Sequence, residues 1–323
     1  MRVMRVLRHY RGVPAAARGS AVAIGNFDGL HRGHRAVIGE AGVIAHGAGV
    51  PWAALTFEPH PRRFFRPETP PFRLTPFRTK MWRLAEMGVD VAVVLRFDAR
   101  LATMEAEAFV SRVLVGGLAV RHVVVGPDFA FGHGRRGDAA LLHRLAHKLG
   151  FGFTEITAVG EGAQRLASTG IRALVREGRV AEAIAALGEP FVIEGRVARG
   201  AGRGRALGFP TANLALDGRL HPGPGIFAVR AAIAGEGRWH PGIAYVGRRP
   251  TFAGERLMLE TMLFDFDGDL YGRRLCVAFH ERIREDRTFA SAEALAAQMT
   301  ADCREARRIL ARAAPALVNP PAA

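Results

Sequence analysis

The spacing of apolar residues changes once along this chain, near Gly188-Glu189-Pro190, and that change limits the folds open to it. Before it, short apolar runs at residues 21–25, 52–57, 91–96, 122–126 and 153–156 read as buried strands. Helix-spaced segments at 34–46, 76–87, 105–114 and 138–148 alternate with them. That alternation predicts a parallel sheet with crossover helices. Two more helical stretches, 169–177 and 180–187, close this half. After the change come strand-like runs at 191–197, 226–233, 243–246, 257–266 and 275–280, bounded by Gly and Pro. A helical pattern returns only at 290–313, where Leu295, Met299, Ala306 and Leu310 share one face. The second half therefore reads as a small antiparallel β-barrel with a C-terminal helix. The division is an α/β domain over 1–188, a barrel domain over 189–314 and a flexible, Pro/Ala-rich tail over 315–323.

Bulk composition agrees with two soluble domains. The chain has 323 residues, 49% apolar and 23% charged, enough for each half to bury a core. No apolar stretch approaches the about 18 residues that span a bilayer. Arg2, Arg5, Arg8 and Arg11 leave no room for the apolar segment of a signal peptide, so an unexported protein with no membrane partner is expected. Cys276 and Cys303, the two cysteines, have no metal-ligand spacing. Cys276 sits in the apolar run 275–279 and reads as a small core residue in a reducing cytosol. The net charge of +15 is compatible with nucleic-acid binding, but the arginines are dispersed rather than massed in a tail. Small polyphosphates are an equally good destination for such charge.

The densest chemical signal is Gly25-Asn26-Phe27-Asp28-Gly29-Leu30-His31-Arg32-Gly33-His34, which follows the first strand and opens a helix. In a doubly wound sheet, ligands bind beyond the strand C-termini against helix N-termini. Gly25, Gly29 and Gly33 allow the backbone to approach a phosphate. His31 and His34, three apart, share a helix face and can donate hydrogen bonds to phosphate oxygens, stabilising charge that builds up during transfer. An isolated His pair at a Gly-rich turn is more often solvated surface; the strand–turn–helix setting is what favours a site. Ser168-Thr169-Gly170-Ile171-Arg172 also opens a helix, and its hydroxyls and Arg suit a triphosphate, though a helix cap alone would use the same residues.

With its H-x-G-H spacing, the first string resembles the signature of the nucleotidyltransferase superfamily, and Asn-Phe-Asp-Gly within it is similar to bacterial FAD synthetases. Thr56-Phe57-Glu58-Pro59-His60-Pro61 and Gly126-Pro127-Asp128-Phe129-Ala130-Phe131-Gly132 match further strings of that family. The resemblance implies a Rossmann-like nucleotidyltransferase domain in which Gly25, Asn26, Phe27, Asp28, Gly33, Ser168, Thr169 and Arg172 bind nucleotide. It implies that His31 and His34 are catalytic, and that His60, Pro61, Asp128, Phe129 and Phe131 contact flavin. Phe129 and Phe131, read by themselves, are equally ordinary core aromatics.

In the second half, glycines 200, 202, 204 and 208 make a loop of exposed N–H groups, with Arg203 and Arg205 adding charge for β- and γ-phosphates. It lacks the Walker pattern. The following Gly208-Phe209-Pro210-Thr211-Ala212-Asn213-Leu214 resembles the most diagnostic motif of the riboflavin kinase fold. The resemblance implies that Thr211 and Asn213 help hold Mg²⁺ beside ATP, that Gly202, Arg203 and Arg205 bind nucleotide, and that Arg284 contacts flavin. Glu260, on a strand face shared with Met258, Met262 and Phe264, is costly there without a task or a partner. In the family it is the general base for the ribityl 5′-hydroxyl. Asp265, Asp267 and Asp269 read as a polar hairpin turn rather than a calcium loop.

Together these resemblances imply ATP-dependent phosphorylation of riboflavin to FMN, then adenylation of FMN to FAD with release of pyrophosphate. The partners are those small molecules, with Mg²⁺ and without nucleic acid; the oligomeric state is not legible. The sequence departs from the family at Ala167 (usually Ser), Phe227 (often Tyr), Tyr245 (usually Asn), Met262 (usually His) and Asp286 (more often Glu). The rival readings are an adenylyltransferase whose barrel has lost kinase activity and, more remotely, a basic nucleic-acid-binding protein.

Overall fold

In a computed structural model, the chain is described over residues 3–156, 168–199, 208–251 and 254–313. It forms two compact units, one from the chain up to Thr69 together with Thr75–Arg165, the other from Pro70–Leu74 together with the chain from Leu166 onward.

The first unit is an α/β layer structure. Its strands are β1 (Arg5–Leu7), β2 (Ala21–Ile24), β3 (Trp52–Glu58), β4 (Val91–Arg96), β5 (His122–Val125) and, after the short hairpin β6 (Ala130–Phe131) and β7 (Gly137–Asp138), β8 (Gly152–Glu155). They form one six-stranded sheet in the order β1-β4-β3-β2-β5-β8, and every pair in it is parallel. All four residues of β2 are buried, as a strand covered on both faces requires. Val22 and Ile24 pack into one apolar cluster, Ala21 and Ala23 into the other. The helices are α1 (Arg32–Ala48), α2 (Pro61–Phe65), α3 (Phe77–Glu86), α4 (Ala99–Ala102), α5 (Ala106–Ala108, continuing as a π-wound stretch Phe109–Gly117) and α6 (Ala139–Leu149). From β2 the chain winds outward through β3 and β4, then returns to place β5 on the other side of β2. The reversal puts a crevice beyond the C-termini of β2 and β5.

The second unit is all-β with helices against it. Strands β9 (Phe191–Arg196), β10 (Ala212–Ala215), β11 (Gly225–Ile233), β12 (Trp239–Thr251), β13 (Gly254–Leu263) and β14 (Arg274–Arg284) order as β10-β13-β12-β11-β14-β9, with every pair antiparallel. A bridge between Ala198 and Asn213 brings the two ends together, so the sheet is nearly a closed barrel. Phe227, Val229, Leu259, Val277 and Phe279 fill its interior. Each fully buried side chain of this size contributes about 1.5–3 kcal/mol. The last helix, α9 (Ala292–Arg312), lies on the outer face over Ala228, Phe264 and Ile243. Ser291 caps its N-terminus by accepting from the Ala294 N–H.

Helices α7 (Ser168–Arg176) and α8 (Val180–Leu187) precede the change of periodicity, yet they pack with the barrel. Ile171, Val175, Val180, Ala183 and Leu187 share its interior cluster. Periodicity marks where strands begin, whereas packing is set by where apolar faces meet. Four strands the apolar pattern did not mark, β1, β6, β7 and β10, have 2 to 4 residues. They lack the continuous apolar run that marks β2 and β5, which have 4 residues each. Cys276 is 2% exposed in the barrel wall, and no helix among the described residues is long and apolar enough to cross a membrane.

Candidate functional sites

The crevice at the reversal of the first sheet receives two of the sequence motifs: 25–34 leaves the C-terminus of β2, and 126–132 leaves that of β5. The third, 56–61, runs off the end of β3. The turn 26–30 is strained, with Phe27 at φ 48° and Leu30 at φ 44°, and the surrounding side chains hold it. Lys80, 3% exposed on α3, reaches the Asn26 carbonyl at 2.6 Å and Thr56 Oγ1 at 3.3 Å. Thr56 Oγ1 itself donates to the Asn26 carbonyl at 3.1 Å. On the other side, the Gly29 N–H donates to Thr75 Oγ1 at 3.1 Å, while the Thr75 N–H donates to Asp28 Oδ1 at 3.0 Å. Phe27, Asp28, Gly29 and Leu30 are all buried and brace the turn, and Asn26 is its exposed residue.

His31 is the N-cap of α1: its Nδ1 accepts from the His34 N–H at 3.3 Å. A ring nitrogen that accepts carries no proton, which places the ring proton on Nε2. The His31 and His34 rings stack at 3.7 Å and 21°, and the buried Phe27 meets His34 edge-on at 5.5 Å. The intervening glycine eases the stack, because a Cβ at Gly33 would come within 3.3 Å of the His31 ring and push it by a few tenths of an ångström. His60 repeats the device as cap of α2, with Nδ1 accepting from the Arg62 N–H at 3.1 Å. In both half-buried residues the cap leaves the ring proton on Nε2.

The remaining first-half candidates divide. Asp128 is exposed with φ 63°. Phe129 is half-buried and stacks on Phe131 at 5.4 Å, while Phe131 packs in the core against Phe109. Of the pair, Phe129 is the one with a free face. Pro61 begins α2. Ser168, Thr169 and Arg172 open α7, which packs in the second unit; the buried Arg172 donates from Nε to the Phe72 carbonyl at 2.7 Å and lies over the Phe72 ring.

In the barrel, one row of paired residues crosses five strands on the outer face: Asn213 opposite Glu260, Glu260 opposite Tyr245, Tyr245 opposite Ile226, Ile226 opposite Arg284. Directly opposed residues bring Cβ atoms to about 4.5–5.5 Å, so the amide of Asn213 and the carboxylate of Glu260 are neighbours. Beside them opens a cleft of about 550 Å³ lined by Val197, Thr211, Asn213, Thr261, Asp267 and Tyr271, among others. Asn213 Nδ2 donates to the Thr211 carbonyl at 3.4 Å, leaving Oδ1 as an acceptor or ligand. Arg284 is already gripped, with Nε and Nη2 on Asp302 of α9 at 2.8–3.1 Å. Gly202, Arg203 and Arg205 lie outside the described residues.

The departures have local partners. Tyr245 donates its hydroxyl to Asp286 at 2.7 Å, so a longer side chain at one position meets a shorter acid at the other. Its ring crosses Gly247, where any Cβ would collide with it. Met262 packs beside α9, and Phe227 is buried against Phe279 at 5.4 Å. Lys80, Thr75 and the Tyr245–Asp286 pair were missed from the sequence. Only Lys80 left a signal: a lysine on the apolar stripe with Phe77, Met81 and Leu84.

A doubly wound sheet with paired imidazoles at its reversal point, joined to a barrel with a polar cleft, defines a two-unit chain built to handle phosphate esters at two separate places. The sequence comparisons narrow the class. An FAD synthetase family model matches residues 13–170 and a Riboflavin kinase model residues 187–310. The bifunctional riboflavin kinase/FMN adenylyltransferase of Escherichia coli (strain K12) is 40% identical over 97% of this chain and 100% of its own length. Those of Pseudomonas fluorescens and Bacillus subtilis are 42% and 33% identical over 96% and 90% of this chain, and over 99% and 92% of their own lengths. A crystal structure described as a Macrolide-efflux Protein from Streptococcus pneumoniae superposes with a TM-score of 0.83 at 28% identity, covering 95% of this chain and 99% of that one. The chain belongs to the bifunctional riboflavin kinase/FMN adenylyltransferase family.

Proposed function

We propose that the chain makes FAD in two ATP-dependent steps: the barrel phosphorylates riboflavin to FMN, and the α/β domain adenylates FMN and releases pyrophosphate. In this reading residues 1–188 carry the adenylyltransferase and 189–314 the kinase. The observation that supports it is the coexistence of two unlike polar clusters, the capped imidazole pair His31–His34 and the opposed pair Asn213–Glu260.

In the adenylyl transfer, FMN phosphate is the nucleophile, so no covalent enzyme intermediate is needed. The Nε2–H of His31, with His34 beside it, donates to phosphate oxygens as charge grows at the attacked α-phosphorus. Asn26 and Gly33 offer backbone N–H groups to the nucleotide, while Gly25, whose own N–H donates to the Leu55 carbonyl at 3.1 Å, lies beside it. This reading also assigns Ser168, Thr169 and Arg172 to nucleotide, which requires Arg172 to exchange its Phe72 partner for phosphate. His60, Pro61, Asp128 and Phe129 border the flavin, and Phe131 backs Phe129.

In the kinase step, Glu260 accepts the proton of the ribityl 5′-hydroxyl, and the freed oxygen attacks the γ-phosphorus of ATP in line as the bond to the β,γ-bridging oxygen breaks and ADP leaves. Thr211 and Asn213 present hard oxygen donors, and Asp267 lines the same cleft, a donor set that fits Mg²⁺. When bound, Mg²⁺ offsets the negative charge of the ATP phosphates. Gly202, Arg203 and Arg205 cover those phosphates. Arg284, held by Asp302, borders the flavin at the far end of the Glu260 row. A cytosolic location fits these substrates and the free cysteines.

The deciding experiment is incubation of the pure protein with riboflavin and ATP–Mg²⁺, with products separated by chromatography. FMN and FAD should both appear. Glu260→Gln should stop FMN formation yet still convert added FMN to FAD. FAD from FMN without FMN from riboflavin would select the single-activity rival instead.

A further inference from the structure

The wall of the barrel cleft is a turn, and its first residue is held from outside. Asp265 follows β13 in the left-handed region at φ 54°. Arg307 of α9 grips it with both guanidinium Nη atoms, each bond 2.9 Å, and its cation lies 4.3 Å above the Phe264 ring. The next residues, Asp267, Gly268, Asp269, Leu270 and Tyr271, line the cleft. The far end of the turn is pinned separately: the Gly272 N–H donates to the Val197 carbonyl at 3.0 Å, and Arg273 reaches Glu236 at 2.8 Å. The helix carrying Arg307 is in turn fixed to the sheet by Asp302 on Arg284 and by the Leu310 carbonyl on Arg230.

The ends of the Arg307–Asp265 pair are 50% and 76% exposed. A pair so exposed adds little to global stability, so its effect is local. It fixes where the wall starts and neutralises one of three carboxylates, at 265, 267 and 269, on a turn bordering a cleft for a polyanion.

We propose that Arg307 is a positioning residue of the kinase step: by holding Asp265 it sets the turn 266–271 for the nucleotide phosphates at Thr211 and Asn213. The inference rests on the kinase reading above. Releasing Arg307 lets the wall move and frees a carboxylate to repel the nucleotide, which weakens ATP binding more than it slows chemistry.

The test is steady-state riboflavin phosphorylation by the full chain, varying ATP–Mg²⁺, in the wild type, Arg307→Ala, Asp265→Asn, the double variant and Arg307→Lys. FMN adenylation is measured on the same preparations. Arg307→Ala should raise the KM for ATP about five- to tenfold with kcat within about twofold. The double variant should be no worse than Arg307→Ala, because both changes break one contact. Lysine should recover part of the loss, since it keeps the charge without the two-pronged grip. FMN adenylation and the melting temperature should not change. An unaltered KM in Arg307→Ala, two losses that add in the double variant, or a parallel fall in adenylation would overturn the proposal. A wild-type chain that forms no FMN overturns the kinase reading and this proposal with it; an active wild type beside an unaffected Arg307→Ala overturns this proposal alone.

Discussion

The proposed reaction gives His31 two duties that substitution can separate. Its Nδ1 caps α1 through the His34 N–H, and in the proposed adenylyl transfer its Nε2–H donates to phosphate. Removing an N-cap side chain costs about 1 kcal/mol. In a domain of this size that lowers the melting temperature by about 2–4 °C. Losing a donor aimed at charge in the transition state costs about 10²–10³ in rate. His31→Ala should show both losses. His31→Asn should show only the second, because Asn is among the best N-caps and the backbone at His31 already has the extended φ −61°, ψ 170° that a cap adopts. Melting by circular dichroism and conversion of FMN to FAD under saturating ATP measure the two effects. The reasoning fails if Asn restores turnover to within about tenfold of wild type, or if Ala leaves the melting temperature untouched.

Lys80→Met should reduce FAD formation at least tenfold while riboflavin phosphorylation continues, because about 1.5–3 kcal/mol of charged hydrogen bonding to the Asn26 carbonyl and Thr56 is lost; equal effects on both activities would refute a local role. Burial, with Arg230 alongside, pushes the His280 imidazole down to about 4, so the folded chain keeps it neutral while the unfolded chain protonates near 6.5. The stability this preserves is complete above pH 6.5 and disappears as pH falls toward 4, on the order of 3 kcal/mol; His280→Leu should flatten the slope of urea-unfolding stability across that window, and an unchanged slope counts against it. Thr261 is fully buried, and its Oγ1 has no hydrogen-bond partner among the described residues. Thr261→Val should therefore leave stability unchanged or raise it by up to about 1 kcal/mol, and a loss beyond that size in the same assay would show that the hydroxyl has a partner in solution.

By itself the amino-acid sequence determined the order and type of most elements, the presence of two units and the family strings they carry, because period, turn residues and short motifs are local properties. Many elements fell where their apolar spacing placed them, from β2 at Ala21–Ile24 to α9 at Ala292–Arg312, but β12 extends over Trp239–Thr251 around the apolar run 243–246. Only the tertiary structure decided which chain neighbours were unlike in duty. Phe27 and Asp28 sit within a signature string yet face inward, and Phe131 supports Phe129 rather than presenting its own face. It also decided that α7 and α8 pack with the barrel, and it joined Lys80 to Asn26, Tyr245 to Asp286 and Arg307 to Asp265. These pairs lie 41–54 positions apart in the chain. Contacts at that separation are created by strand register and helix packing, which no local pattern of residues encodes.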